Sequence, residues 1–147
     1  MYAQASLDPA FLVDASALLK RGEPLLATYE FHFYQRHDWL PDRKVVDITI
    51  KRRLRPHLIT EHFEMRDSQS GVYHYTSDPE EALHFLGKPR FIALTQVSEL
   101  KSGGRYLLET RILVTHEGVS GLLRLLDRWL ALWRPIDQTL QIDYTHP

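Results

Sequence analysis

The chain has 147 residues, the length of one domain, and a domain of this size buries about 70% of the surface of its unfolded chain. Its 44% hydrophobic and 25% charged residues are ordinary for a globular protein and exclude a disordered chain. The net charge of -1 gives no overall field that would recruit nucleic acid. No apolar run reaches the roughly 18 residues of a membrane-spanning helix. We therefore expect a single domain over residues 1–147.

The chain contains no cysteine, which excludes disulfide frameworks, thiolate nucleophiles and Cys-rich zinc sites. The N-terminus lacks the basic and apolar regions of a signal peptide. However, Ala3-Gln4-Ala5 is a small-x-small triplet of the kind that precedes a cleavage point. The triplet indicates either a chain whose leader has been removed or a coincidence in an Ala-rich stretch.

Alternation of apolar and polar residues predicts most of the chain as β-strands. The predicted strands, in chain order, are 28–36, 44–54, 105–115 and 139–145, with weaker candidates at 10–14 and 90–94. Both faces of 105–115 are largely apolar, so we expect this strand to be central in its sheet.

Residues 60–76 have the pattern of a hairpin, with turn residues from Asp67 to Gly71. A five-residue loop would pair Met65 with Tyr73. This register predicts Phe63, Met65, Tyr73 and Tyr75 on the core side, with His62, Glu64 and His74 facing water.

The same register places two imidazoles and one carboxylate, those of His62, His74 and Glu64, on one face of the hairpin. Such a set can hold zinc and leave one position open. It is the basis of one functional hypothesis, a small metal-dependent hydrolase; the other interpretation is a solvated polar face. The sequence shows no nucleophile motif and no phosphate-binding loop, so we predict no catalytic residue and no cofactor.

Helix signals are fewer than strand signals. Asp78 as a cap, Pro79 in the first turn and Gly87 as a stop predict one helix. A short helix is also predicted at 15–21 and a third helix at 119–133. The expected fold class is therefore α+β, a mainly antiparallel β sheet or sandwich with two or three helices.

Residues 119–133 have an apolar arc that is wider than a helix docked on one sheet needs. We predict that this helix binds a second subunit, a partner protein or a membrane face through Leu122, Leu126, Trp129 and Trp133. The alternative is a helix buried between sheet layers.

The strongest charge feature is the basic run from Lys51 to His57. On a strand, Lys51, Arg53 and Arg55 project from one face within about 14 Å, where they can contact an anionic surface such as lipid phosphates. The alternative is that these charges protect an exposed strand end from edge pairing. No aromatic residues are interleaved with the run, and we expect no nucleic-acid partner.

Four segments carry a resemblance to a known family. They are Leu19-Lys20-Arg21-Gly22-Glu23-Pro24-Leu25, Trp39-Leu40-Pro41-Asp42-Arg43-Lys44, Leu100-Lys101-Ser102-Gly103-Gly104-Arg105-Tyr106, and Trp133 with the strand from Gln138 to Tyr144. Through these segments, residues 9–145 resemble a proteobacterial family of domains of unknown function. The resemblance implies export to the periplasm or cell envelope, a β-rich domain and genes near a nitrogen-regulatory sensor kinase pair. It implies no reaction.

Together these observations give two functional hypotheses. The leading one is a non-enzymatic envelope domain that binds a protein partner, a further copy of itself or an anionic membrane surface. The alternative is the metal-dependent hydrolase centred on the hairpin.

Overall fold

The structure, a computed structural model, describes residues 2–7, 9–88, 92–94, 99–116 and 136–146. Its elements, in chain order, are β1 (Tyr2–Ala3), α1 (Pro9–Lys20), β2 (Leu25–Gln35), β3 (Arg43–His57), β4 (His62–Asp67), β5 (Tyr73–Thr76), α2 (Pro79–Gly87), β6 (Ile92–Ala93), β7 (Arg105–His116) and β8 (Ile136–Thr145). Within these described residues, two helices and a mainly antiparallel sheet confirm the predicted α+β class.

Six strands form one antiparallel sheet in the order β5-β4-β3-β2-β7-β8. Strand β2 pairs along its full length with β3 on one side and with β7 on the other. Strands β1 and β6 form a separate two-stranded pair. The predicted strand at 105–115 is β7, which lies inside the sheet between β2 and β8.

The core lies on one side of this sheet, which we call the inner face. Strand β2 alternates fully buried and partly buried residues, and its buried set includes Tyr29, Phe31 and Phe33. Buried Ile50 of β3 and Ile112 of β7 lie directly opposite Tyr29 in the two ladders. Helix α2 packs against β2, β3, β4 and β5, and α1 packs against α2 and β3. The other side of the sheet is the outer face.

Helix α2 begins as the sequence predicts. Asp78 is its N-cap, with the carboxylate accepting a hydrogen bond of 2.8 Å from the backbone N–H of Glu80, and Pro79 occupies the first turn. At the other end the buried Tyr29 hydroxyl donates to the carbonyl of Leu86 at 2.6 Å. Burial raises the pKa of Tyr29 above its ordinary value, although the nearby charge of Arg52 opposes the increase. The phenol therefore stays a hydrogen-bond donor.

The sequence prediction was wrong for the first helix. Residues 10–14 were expected as a strand and 15–21 as a short helix, whereas Pro9–Lys20 is one helix. Partly buried Leu12 and buried Ala15 and Leu19 recur at helical spacing and face the core. The chain turns at Gly22, where φ is +81°. A Cβ atom there would also lie 2.7 Å from Leu58 Cδ1, so the turn requires glycine.

The hairpin prediction was wrong by one residue of register. Met65 pairs with His74 rather than with Tyr73, and Phe63 pairs with Thr76. Met65 is buried and Phe63 partly buried, as predicted, but Tyr73 and Tyr75 are exposed on the outer face.

The physical reason is the start of α2. The buried Thr76 hydroxyl donates to the Glu81 carboxylate at 2.5 Å and accepts from the backbone N–H of Asp78 at 3.1 Å. Asp67 also turns inward, to Arg52. These polar contacts fix the inward-facing positions of the hairpin, and the two tyrosines are therefore left outside.

Candidate functional site

The basic row predicted from the sequence lies on the outer face of β3. Lys51 and Arg55 are exposed and Arg53 is partly buried. The residues between them, Arg52 and Leu54, are buried on the inner face because successive side chains of a strand alternate. We call Lys51, Arg53 and Arg55 the basic row.

A fourth cation adjoins the row from the neighbouring strand. Arg66 of β4 is the cross-strand partner of Arg53, so two arginines project from opposite positions on the same face of the sheet. Like charges directly opposite each other are destabilising in a sheet. The ring of Tyr73 compensates in part, since its centre lies 4.9 Å from the guanidinium carbon of Arg66. An anionic ligand would stabilise the same pair further.

Sequence reasoning missed Arg66 because its place beside the row depends on the β3–β4 register. One carboxylate, that of Glu64, lies opposite Arg55 in the same ladder. Its Oε2 is 3.6 Å from Nε2 of His57. Across the described stretches Lys51–Arg55 of β3 and Glu64–Arg66 of β4, the outer face therefore has four cations and one carboxylate.

The basic row leads to an apolar loop. Residues 58–61 join β3 to β4, and their side chains of Leu58 and Ile59 are 62% and 98% exposed. We call these two residues the apolar tip. Leu58 lies against Gly22, which brings the end of α1 beside the tip. Lys20 and Arg21, which precede Gly22 in the chain, are exposed.

The opposite end of the sheet has a second exposed apolar loop with different charges around it. Trp39, between β2 and β3, is 96% exposed. Two cations at this end have acidic partners: Arg36 lies 3.0 Å from the carboxylate of Asp143, and Arg105 binds Asp38. Arg36 and Arg105 also line a cleft of about 230 Å³, and the same two carboxylates balance their charges.

The structure does not bring the hairpin's metal-ligand candidates together. His74 pairs with Met65 on the inner-face side, whereas Glu64 pairs with Tyr75 on the outer-face side. The imidazole of His62 instead forms a hydrogen bond with the backbone carbonyl of Thr60. Within the described residues no group of three His, Asp or Glu side chains has the arrangement of a metal site. His74 and Glu64 lie on opposite faces because the β4–β5 register differs by one residue from the predicted register.

The predicted partner-binding residues Leu122, Leu126, Trp129 and Trp133 lie outside the described residues. Partner binding by that segment stays a prediction. No helix in the part of the chain that the structure describes is long and apolar enough to cross a membrane.

Comparison with known proteins gives one match. The family model described as a domain of unknown function (DUF4390) matches residues 1–140. The chain belongs to this family. Membership confirms the predicted resemblance to a family of domains of unknown function. The proteobacterial source and the gene neighbourhood stay expectations. No curated protein and no solved structure matches the chain.

An ion pair farther along β3 gives a pH-dependent prediction for the DUF4390 domain. Lys44 Nζ donates to Asp47 Oδ2 at 2.8 Å; this hydrogen bond lowers the pKa of the Asp47 carboxyl and raises that of Lys44. The pair therefore stabilises the fold at pH values above the ordinary pKa of Asp. This contribution is lost as the pH falls through the lowered pKa of Asp47. It is also lost at alkaline pH, as pH rises through the raised pKa of Lys44.

We expect Lys44→Met to raise the midpoint of the Asp47 carboxyl titration measured by NMR. Lys51→Met, four residues farther along the same strand and so about 13 Å from Asp47, is the control and should leave that midpoint unchanged. An equal midpoint in the wild type and in Lys44→Met would show that the ion pair does not form in solution.

Proposed function

We propose that this DUF4390 domain is a non-enzymatic envelope domain that docks on an anionic membrane surface. One observation carries the proposal: the basic row and Arg66 lie on the same face of two paired strands, and the loop that joins those strands contains the exposed apolar tip. Cations beside exposed aliphatic residues are the combination that favours the interface of an anionic bilayer.

The geometry supports one orientation on such a membrane. Lys51 and Arg55 are four residues apart on a strand and so span about 13 Å, a distance over which side chains can reach several lipid headgroups. Ile59 lies beyond Arg55, in the loop that follows the strand, and can enter the boundary between headgroups and acyl chains. Each cation near the surface is worth about 1 kcal/mol of binding free energy. At the Trp39 loop, Arg36 and Arg105 lie against Asp143 and Asp38, which balance their charges there.

The envelope location and the non-enzymatic role are parts of the same proposal. The resemblance stated above supports export and a proteobacterial source, with genes near a sensor kinase pair. Lys51, Arg55 and the apolar tip are exposed, an arrangement suited to docking on a surface. The basic row therefore serves attachment of the domain rather than chemistry.

The test is sedimentation with liposomes of neutral lipid containing about one third anionic lipid. We expect the wild-type domain to bind at low salt and to be released near 0.5 M salt, because screening weakens contacts between charges and the surface. The variant Lys51→Glu/Arg53→Glu/Arg55→Glu loses three attractive contacts, so its partition coefficient should fall at least about 100-fold. Ile59→Asp removes an apolar contact and adds a negative charge beside the anionic surface, so it should also weaken binding.

A matched control separates the surface from the net charge. Arg43→Glu/Lys88→Glu/Lys101→Glu changes the net charge equally at exposed residues elsewhere and should keep most of the binding. Trp39→Asp should also bind like the wild type. Equal loss in the two triple variants, or loss in Trp39→Asp alone, would show that this is not the binding surface.

A further inference from the structure

Strand β8 forms one edge of the six-stranded sheet and has features of a pairing surface. It is ten residues long, and no strand among the described residues pairs with its outer side. Leu140 and Ile142 on it are 51% and 49% exposed. The opposite edge strand, β5, has only four residues, and a short edge is a common protection against strand addition. β8 lacks that protection and contains no Lys, Arg or Pro.

The hydrogen-bond pattern shows which backbone groups of β8 point away from the sheet. The backbone N–H of Arg36 donates to the carbonyl of Arg105 at 2.8 Å, so Arg105 uses its hydrogen bonds toward the β2 side. Bonding alternates along antiparallel strands, so Tyr106 bonds its β8 partner Tyr144. The even-numbered residues of β8 thus bond β7. The backbone N–H and C=O groups of odd-numbered residues, Gln141 among them, point outward.

A second β8 can pair with these groups only in certain registers. Centring a two-fold pair on Gln141 places Leu140 of one chain opposite Ile142 of the other, and the reverse. It also places Thr139 opposite Asp143. Centring the pair on Asp143 instead would oppose the Asp143 carboxylates of the two chains, two like charges, and would set Ile142 against Tyr144. The side chains of β8 are therefore self-complementary about Gln141.

We propose that a second copy of this chain binds along β8 in antiparallel orientation, with the two-fold axis at Gln141. The two sheets then join into one continuous sheet. The half-exposed Leu140 and Ile142 of each chain bury each other, and the outward backbone groups of both strands gain hydrogen bonds. This inference uses the sheet edge opposite β5 and β4, so it is independent of the membrane proposal.

The first test is the mass of the wild-type chain in solution, measured by analytical ultracentrifugation over a range of concentrations. We expect a concentration-dependent species with twice the 17.2 kDa of the chain. Gln141→Pro removes one outward N–H and leaves the β7–β8 hydrogen bonds intact, so the dissociation constant should rise at least tenfold. Gln141→Thr keeps that N–H and should associate like the wild type.

The second test reads the register. The chain has no cysteine, so a single introduced one is unique. In the proposed pair the two Gln141 Cα atoms are about 5.5 Å apart, within disulfide range. Gln141→Cys should therefore form a covalent dimer under mild oxidation. In Thr145→Cys the two thiols would lie eight residues out of register, about 27 Å apart, and should not crosslink.

A wild-type chain that stays monomeric up to about 1 mM overturns the proposal, as does crosslinking of Thr145→Cys at the same rate as Gln141→Cys. A dimer that Gln141→Pro leaves intact also overturns it, because association then uses another surface. Circular dichroism of Gln141→Pro confirms that loss of the dimer is not loss of folding.

Discussion

Replacing Arg52 with alanine is expected to lower the free energy of unfolding by about 3–5 kcal/mol, a large part of the 5–15 kcal/mol that stabilises a typical domain. Arg52 is buried on the inner face of β3. Its Nε donates to the carboxylate of Asp67 at 2.9 Å, and that carboxylate is itself largely buried. Removal of the guanidinium group leaves a buried carboxylate without its counter-charge.

The same guanidinium group holds the end of α2. It donates to the carbonyls of Phe85 at 2.5 Å and Lys88 at 3.2 Å, and it lies 4.5 Å from the centre of the Phe85 ring. Carbonyls in the last turn of a helix have no partners within the helix, and a cation there is favourable. Arg52 thus joins β3, β4 and α2.

Chemical denaturation of Arg52→Ala, Asp67→Ala and the double variant measures this coupling. We expect the double variant to be less destabilised than the sum of the two single variants, because the second change removes the unpaired charge that the first one leaves. Arg55→Ala, on the outer face of the same strand, is the matched control and should change the free energy by about 0.5 kcal/mol or less. Additive effects would show that the buried ion pair contributes little.

The sequence was sufficient for the elements whose pattern and environment agree. Strand β2 alternates because one face packs in the core and the other does not, and α2 begins at an Asp-Pro cap that acts locally. Long, regular segments of this kind were predicted as strands or helices correctly. The location of the basic row followed in the same way, since only the alternation within one strand was needed.

The errors occurred where contacts between distant residues decided the outcome. The hairpin register depends on Thr76 binding Glu81 and on Asp67 binding Arg52, and neither contact leaves a local signal. Tyr73 and Tyr75, which are exposed, were predicted as core residues for the same reason. Arg66 could be placed beside Arg53 only once the β3–β4 register was known. In α1 a short apolar run was compatible with the two-residue period of a strand and with the 3.6-residue period of a helix. Only the packing of Leu12, Ala15 and Leu19 in the core selects the helix.

Phe33→Ala is expected to lower the free energy of unfolding by about 3–5 kcal/mol through loss of core packing rather than of charge. Phe33 is fully buried on β2, and its ring stacks on Tyr106 with centroids 5.3 Å apart and planes 8° apart. Its neighbours in the two ladders are Val46 and Leu108. Truncation therefore leaves a cavity between three strands of the sheet, and the aromatic pair is lost as well.

Thermal and chemical unfolding of Phe33→Ala, Phe33→Leu and Thr49→Ala measure this effect. Phe33→Leu retains most of the volume and should cost clearly less than Phe33→Ala. Thr49→Ala, exposed on the outer face of β3, should stay within about 0.5 kcal/mol of the wild type. Phe33 lies on β2, which contains neither the basic row of β3 nor the edge strand β8. The folded fraction of Phe33→Ala should therefore bind anionic liposomes and dimerise with unchanged affinities. Loss of either activity in the folded protein would place Phe33 in a functional role that its burial does not predict.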